Sequence, residues 1–274
     1  MFHLNWLLPY EFSPTVLVTC LGAGLVYARG LHRSLEPVGV ARPVSFYTGL
    51  VLIYIVLQTQ FDYVAQHMFY IHRIQHLVLH HIGPFLVMLA VPGGVLAAGL
   101  PEALRERVVR PFWRAAPVRW TYRFVQQPVI ASLLFVGLIA LWLTPAVHFD
   151  AMLSLPLYKL MNWSMVVDGL LFWWLMVNPR PGGARTTIAY GRRIVMLFLV
   201  MWPQIVIGAY IALSKHELYD IYAVCGRLWP ITPAVDQQLG GLITWIPAAM
   251  MSVVGILVVL RFWVRQEARE DVVS

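Results

Sequence analysis

Seven stretches of this sequence are apolar over about the length a helix needs to cross a bilayer, and they leave little chain for anything else. They run from Ser13 to Ala28, Pro43 to Gln60, Asp62 to Pro92, Gln127 to Thr144, Ser154 to Val177, Ile194 to Leu213 and Leu239 to Trp263. Charged or Pro/Gly-rich breaks part them. At ~1.5 Å per residue, about 20 residues cover ~30 Å of hydrocarbon. Hydrophobic residues at 59%, charged residues at 12% and a mean hydropathy of +0.70 exclude a soluble domain of mixed surface and core. The expectation is an all-α polytopic membrane protein, one domain over residues 1–274 folded as a seven-helix transmembrane bundle. The N-terminal MFHLNWLLPYEF has no Lys or Arg ahead of its apolar run and no small-residue cleavage site, and reads as retained.

Cations fix the expected orientation, because Lys and Arg in short connections stay on the cytoplasmic side. Arg29, Arg33 and Arg42 join segments 1 and 2, and Arg105, Arg107, Arg110, Arg114, Arg119 and Arg123 join 3 and 4. Arg180, Arg185, Arg192 and Arg193 join 5 and 6, and Arg261, Arg265 and Arg269 lie toward the tail. These alternate connections hold sixteen of the twenty Lys and Arg, so the N-terminus is expected outside and the C-terminus inside a bacterial inner membrane. The net charge of +7 then needs no nucleic acid. In RERVVRPFWRAAPVRWTYR the arginines interleave with Trp and Val, the pattern of an interfacial helix on anionic lipid.

Histidines and carboxylates gather on the opposite side. The run QHMFYIHRIQHLVLHH, Gln66 to His81, puts five imidazoles into one span. Read as a continuous helix, the Asp62 to Pro92 segment places His72 near the outer boundary, His76 about 6 Å deeper and His80 about 12 Å deeper, all on one stripe that Met68 begins. Met, His, His is a ladder of soft and borderline donors, the combination expected for copper. The competing reading is a pair of helical histidines satisfied by neighbouring hydroxyls or carbonyls. Deeper in, Pro84 removes an N–H and crowds the carbonyl of His80, so a kink at His80 and His81 is expected, with a carbonyl in need of a partner. Asp168, at similar depth in segment 5, is expected to meet His80, His81 or Arg73, either to carry protons or to fix helix packing. Asp236 opens segment 7 as a helix cap or as an oxygen ligand beside His72, and Gly240 and Gly241 predict close helix approach.

His72-Arg73-Ile74-Gln75-His76, ten residues after Asp62, resembles the H-M-x-Q-H segment of the polytopic, integral-membrane cytochrome c oxidase assembly factors of the CtaG type. Asp236-Gln237-Gln238 with Gly241 and Trp245 is similar to that family's D-Q-x-x-x-G-x-x-x-W segment. The resemblance implies a non-enzymatic role in maturing a haem-copper oxidase, with copper as a transient cargo at His72, His76, Asp62 and Asp236. It implies oxidase subunits and a periplasmic copper donor protein as partners. Two departures stand out. Arg73 replaces the family's usual Met, and Met161-Asn162-Trp163 stands where a histidine-bearing stretch is expected.

Other classes stay open or close on the sequence. A copper or proton transporter would use the trail of Arg73, His80, His81 and Asp168 toward the bilayer centre, and a metal-free assembly scaffold would use none of it. Haem binding is disfavoured because axial histidines normally come from different helices at matched depth. The two cysteines form no CxxC, and neither a Walker sequence nor a complete dinucleotide loop occurs.

Overall fold

The computed structural model describes residues 8–9, 11–34, 38–179 and 188–273, with side chains to 268. Among the described residues there are helices and connections and no strands. In chain order they are α1 (Pro14–Arg33), α2 (Ala41–Gln58), α3 (Gln60–His67), α4 (Phe69–Leu77), α5 (Gly83–Leu89), α6 (Gly93–Gly99), α7 (Glu102–Leu104), α8 (Arg110–Arg114), α9 (Ala116–Val125), α10 (Pro128–Leu143), α11 (Pro145–Leu153), α12 (Leu155–Val177), α13 (Tyr190–Leu213), α14 (Ile221–Cys225) and α15 (Pro233–Val273). Wide π turns at Val78–Ile82 and Arg105–Val109 link α4 to α5 and α7 to α8. Prolines occupy the first turns of α1, α10, α11 and α12, where a missing N–H costs nothing and the fixed φ is already helical.

Helices α1, α2, α12, α13 and α15 are each long and apolar enough to cross a membrane. Two bent pairs bring the number to seven: Phe69–Leu89 with Gly93–Gly99, bent by 73°, and Ala116–Val125 with Pro128–Leu143, bent by 75°. The bundle is thus the expected one, with four corrections. The third segment is not one helix. It breaks at Met68, whose φ of −136° and ψ of 118° are extended, so Met68 leaves the His72 stripe. The last helix is longer than Leu239 to Trp263, running 41 residues and carrying Arg261 and Arg265 within it. The connections after segments 4 and 6, given no helix from the sequence, contain α11 and α14. Arg193, expected in a solvated connection, is fully buried in α13 and donates to the carbonyls of Met176 and Asn178, a cation completing the C-terminal end of α12. Arg180 and Arg185 lie outside the described residues.

Expected features that recur in the structure explain how the helices close up. Ahead of Pro84 the chain widens into the π turn, and the His80 carbonyl accepts from Trp173 Nε1 of α12 at 3.2 Å. That approach is possible because residue 169 has no side chain: a Cβ there would lie 2.5 Å from the His80 oxygen. Gly240 and Gly241 act likewise, since a Cβ on Gly240 would strike the Phe69 ring at 2.3 Å and one on Gly241 the Ala212 nitrogen at 2.4 Å. The Arg-rich stretch forms α9, which turns sharply into α10 and exposes Trp120 and Phe124 beside its arginines, as an interfacial helix should.

Gly169→Val tests this packing against Gly137→Val, where a new Cβ meets nothing within 4 Å. Thermal unfolding in detergent should show the first destabilised by about 2–3 kcal/mol or more and the second near wild type. Equal effects would contradict the close contact of α12 with the π turn.

Candidate functional site

The site begins with a helix that has to start twice. Thr59 caps α3, its Oγ1 accepting from the Phe61 amide at 3.3 Å, and nine residues later Met68 interrupts the helix again. The restart of α4 leaves its first amides without intrahelical acceptors. Asp236, fully buried at the start of α15, supplies them: its carboxylate accepts from Phe69 N at 3.1 Å and Tyr70 N at 2.9 Å. Arg227 Nε adds a third contact at 3.4 Å, and Arg227 Nη2 also holds Glu217 at 2.9 Å. Two amides, the positive end of α4 and a guanidinium together compensate the burial of this carboxylate. Asp236 is therefore a cap, as expected, but of α4 across the bundle, and both oxygens are engaged there.

One turn below the cap, α4 places His72, Arg73, Gln75 and His76 in the interior. Gln75 Nε2 donates to Val56 O and to Asp62 Oδ1, both at 2.7 Å, and the Tyr158 hydroxyl donates to the same Asp62 oxygen at 2.7 Å. Gln66 Nε2 reaches Asp62 Oδ2 at 3.0 Å. With three donors upon it, Asp62 ties α3, α4 and α12 together and offers no oxygen to the histidines.

His72 and His76 do converge. Their Nε2 atoms lie 3.0 Å apart, and His76 Nε2 is also 3.2 Å from Asn162 Oδ1 on α12. Arg73 Nη2 stands 3.3 Å from His76 Nδ1. Since arginine only donates, His76 Nδ1 accepts and its hydrogen sits on Nε2, pointing at His72 and Asn162. His72 then accepts at Nε2 and carries its hydrogen on Nδ1, which has no hydrogen-bond partner. His148 of α11 walls the other side, its ring 5.1 Å from that of His72. Its Nδ1–H donates to Trp142 O and its Nε2 accepts from the Tyr222 hydroxyl, each at 3.0 Å. Burial first, and the Arg73 charge second, draw the His148 imidazole down to about 3, so it is neutral.

Arg73 neither snorkels outward nor pairs with an acid. It is 4% exposed, its guanidinium lies 5.3 Å from the Phe69 ring centroid, and no carboxylate among the described residues forms an ion pair with it. Space for its stem comes from Gly240, where a Cβ would sit 3.3 Å from Arg73 Cγ. Beneath it lies a cavity of about 30 Å³ bordered by Arg73, His76, His80, His81, Gln204 and Thr244. On its far side His80 Nε2 meets Asp168 Oδ2 at 2.8 Å, the expected intramembrane pair. The His81 ring packs edge-on against His80 at 5.1 Å. Met68 is buried at the bend, off the stripe. Among the described residues no three of His, Cys, Asp and Glu come together as a ligand group, so His72 and His76 stand as a two-nitrogen pair.

The sequence model of the family described as "Cytochrome c oxidase caa3 assembly factor" matches residues 25–266. The chain belongs to the caa3 oxidase assembly factor family. It is also similar to an "Uncharacterized protein" of Mycobacterium leprae, 24% identical over 95% of this chain and 40% of that one. Others in Mycobacterium bovis and Mycobacterium tuberculosis are 26% identical over 90% of this chain and 39% of theirs. The chain thus spans about two-fifths of the length of these relatives. No solved structure matches.

The sequence of this family member did not point to Asn162, Tyr158 and His148 as partners of the histidine pair. Tyr158 and Asn162 left a signal, two polar residues four apart on one face of an apolar helix. His148 left none, because its approach depends on how α11 folds back over α12. The cap makes a testable claim. Asp236→Ala should cost about 2–3 kcal/mol and speed hydrogen exchange at the Phe69 and Tyr70 amides. Unchanged protection there would contradict it.

Proposed function

We propose that this assembly factor serves a haem-copper oxidase in a bacterial inner membrane and handles copper as a transient cargo at His72 and His76. The observation that carries the reading is the convergence of two neutral imidazoles, Nε2 to Nε2 at 3.0 Å, in a family of oxidase assembly factors. Two nitrogens suit Cu(I), which accepts low coordination and borderline donors. The reading takes the Arg-rich connections as cytoplasmic and the histidine-bearing end as periplasmic, so a periplasmic donor protein would load the pair and an oxidase subunit would unload it by ligand exchange. Such a role is non-catalytic.

Arg73 makes the binding weak in two ways. Its charge sits across the His76 ring from the cation, at roughly 6 Å, a repulsion of about 2–3 kcal/mol at an effective dielectric of 20. It also holds His76 with its hydrogen on Nε2, the atom the metal needs, so loading requires the hydrogen to move to Nδ1 and Arg73 to withdraw. The same observation favours a second reading, a metal-free scaffold in which the polar network only fixes α4 against α12. The trail through His80 and Asp168 supports a third, transport of copper or protons.

Competition titration of Cu(I) in halide-free buffer separates them. Wild type should bind measurably, His72→Ala with His76→Ala should not, and Arg73→Met, which removes the charge and adds a thioether, should tighten binding tenfold to a hundredfold. Equal retention by the double variant rejects the site, and no binding by wild type leaves the scaffold. Copper uptake into sealed proteoliposomes would favour transport.

A further inference from the structure

His76 sits against the floor of a second cavity. Between the outer ends of α1, α2 and α12 lies a cleft of about 30 Å³ whose polar border is Glu11, Ser13, Asp62, Tyr158, Lys159 and Asn162. It grades from exposed to buried. Glu11 and Lys159 stand at the exposed end, whereas Tyr158 is 6% and Asn162 3% exposed. Gln58 Nε2, donating to the Glu11 carbonyl at 3.2 Å, secures the chain ahead of α1 as one wall. Asp62, held by Gln66, Gln75 and Tyr158, keeps the α3 wall in place.

Asn162 belongs to both compartments. It lines the cleft, and its Oδ1 lies 3.2 Å from His76 Nε2, the atom a cargo cation would take. The opposite side of the pair is closed by aromatic rings. His148 packs on His72, and Phe69 stacks on Tyr219 at 4.0 Å and meets Tyr222 edge-on at 5.7 Å. Below, Arg73 stands between the pair and the inner cavity, a cation where a cation would have to pass. Of the three approaches, the cleft alone offers acidic and carbonyl oxygens at its mouth and a side chain of low rotational cost at its end.

We propose that this cleft is the entrance through which the cargo cation reaches His76, and that Asn162 is its inner gate. This rests on the copper reading. A cation arriving on a small donor passes Glu11 and Lys159 at the mouth. It displaces the Asn162 amide from His76 Nε2, whose hydrogen passes to Nδ1 as Arg73 withdraws, and exchanges its carrier ligand for imidazole, with no change of oxidation state. Asn162 is a positioning residue: its amide holds His76 turned toward the cleft until a metal replaces that hydrogen bond. At this position an imidazole would compete with the pair for the metal, whereas an amide releases it, which suits a cargo that must be passed on.

The test is steric and uses the full chain in a Cys20→Ala, Cys225→Ser background. Thiols placed by Ser13→Cys or Lys159→Cys are capped either with N-methylmaleimide or with a bulky pyrenyl maleimide, and Cu(I) loading is followed by stopped flow from a weak Cu(I) complex. The bulky cap should slow loading at least tenfold relative to the methyl cap while leaving equilibrium affinity within twofold. Tyr210→Cys, at an exposed position on the outer half of α13 away from the cleft, should load equally with either cap. Equal loading rates with both caps at positions 13 and 159, in a protein that binds copper, overturn the entrance alone. Wild type that takes up no copper overturns the copper reading and the entrance with it.

Discussion

A buried carboxylate reaching across the bundle to the start of another helix organises this protein. By accepting from Phe69 and Tyr70, Asp236 lets the chain break at Met68 and begin a fresh helix with its own register. Without an acceptor at that point two amides would be buried unpaired, at roughly 1–3 kcal/mol each, and an uninterrupted helix from Asp62 would be the cheaper fold. The restart sets which residues of α4 face inward. His72, Arg73, Gln75 and His76 all do; His72 meets His148, Gln75 meets Asp62 and His76 meets Asn162 on other elements, whereas Arg73 lies against His76 and Phe69 of α4 itself. Because Asp236 also heads α15, the helix that carries Gly240 and Gly241, one residue couples the direction of α4 to the closeness of its neighbour.

Two polar centres result, on either side of Arg73. The outer one joins His72 and His76 to Asn162, beside a second set in which Gln75 and Tyr158 hold Asp62. The inner one is His80 with Asp168. In the bilayer interior such groups persist by partnering one another, His76 with Asn162 in the outer centre and His80 with Asp168 in the inner one. Arg73 is the exception. Its cation lies against an imidazole and an aromatic face, and this makes the histidine pair a poor resting place for another cation. On the copper reading proposed above, a poor resting place is what a carrier requires, since a metal bound too tightly is not handed on.

How much of this could be read from the chain depends on the range of the causes. The spans, a disturbed helix ahead of Pro84, the meeting of Asp168 with His80 and the close approach at Gly240 and Gly241 all follow from local residue chemistry at known depth, and all are found, although the disturbance is a π turn and the measured bend lies beyond Leu89. The break at Met68 is different, because its cause lies 167 residues away in Asp236 and nothing in the sequence around Met68 announces it. A continuous helix was the sound expectation, and it put Met68 wrongly on the histidine stripe. Arg73 neither escapes to water nor pairs with an acid, because Gly240 opens room for its stem inside. His148 became a neighbour of His72 through tertiary packing that no period in the sequence encodes, whereas Asn162 shares with Tyr158 a polar face of α12 that the sequence does show.

X-ray absorption at the copper edge of the Cu(I)-loaded protein tests the central claim most directly. The account predicts a first shell of two imidazole nitrogens without sulfur, lost when His72 and His76 are both replaced. A sulfur-dominated shell, or a shell unaltered by those replacements, would contradict it, for the cation would then rest elsewhere than between the two rings that Asp236 and the restart of α4 bring together.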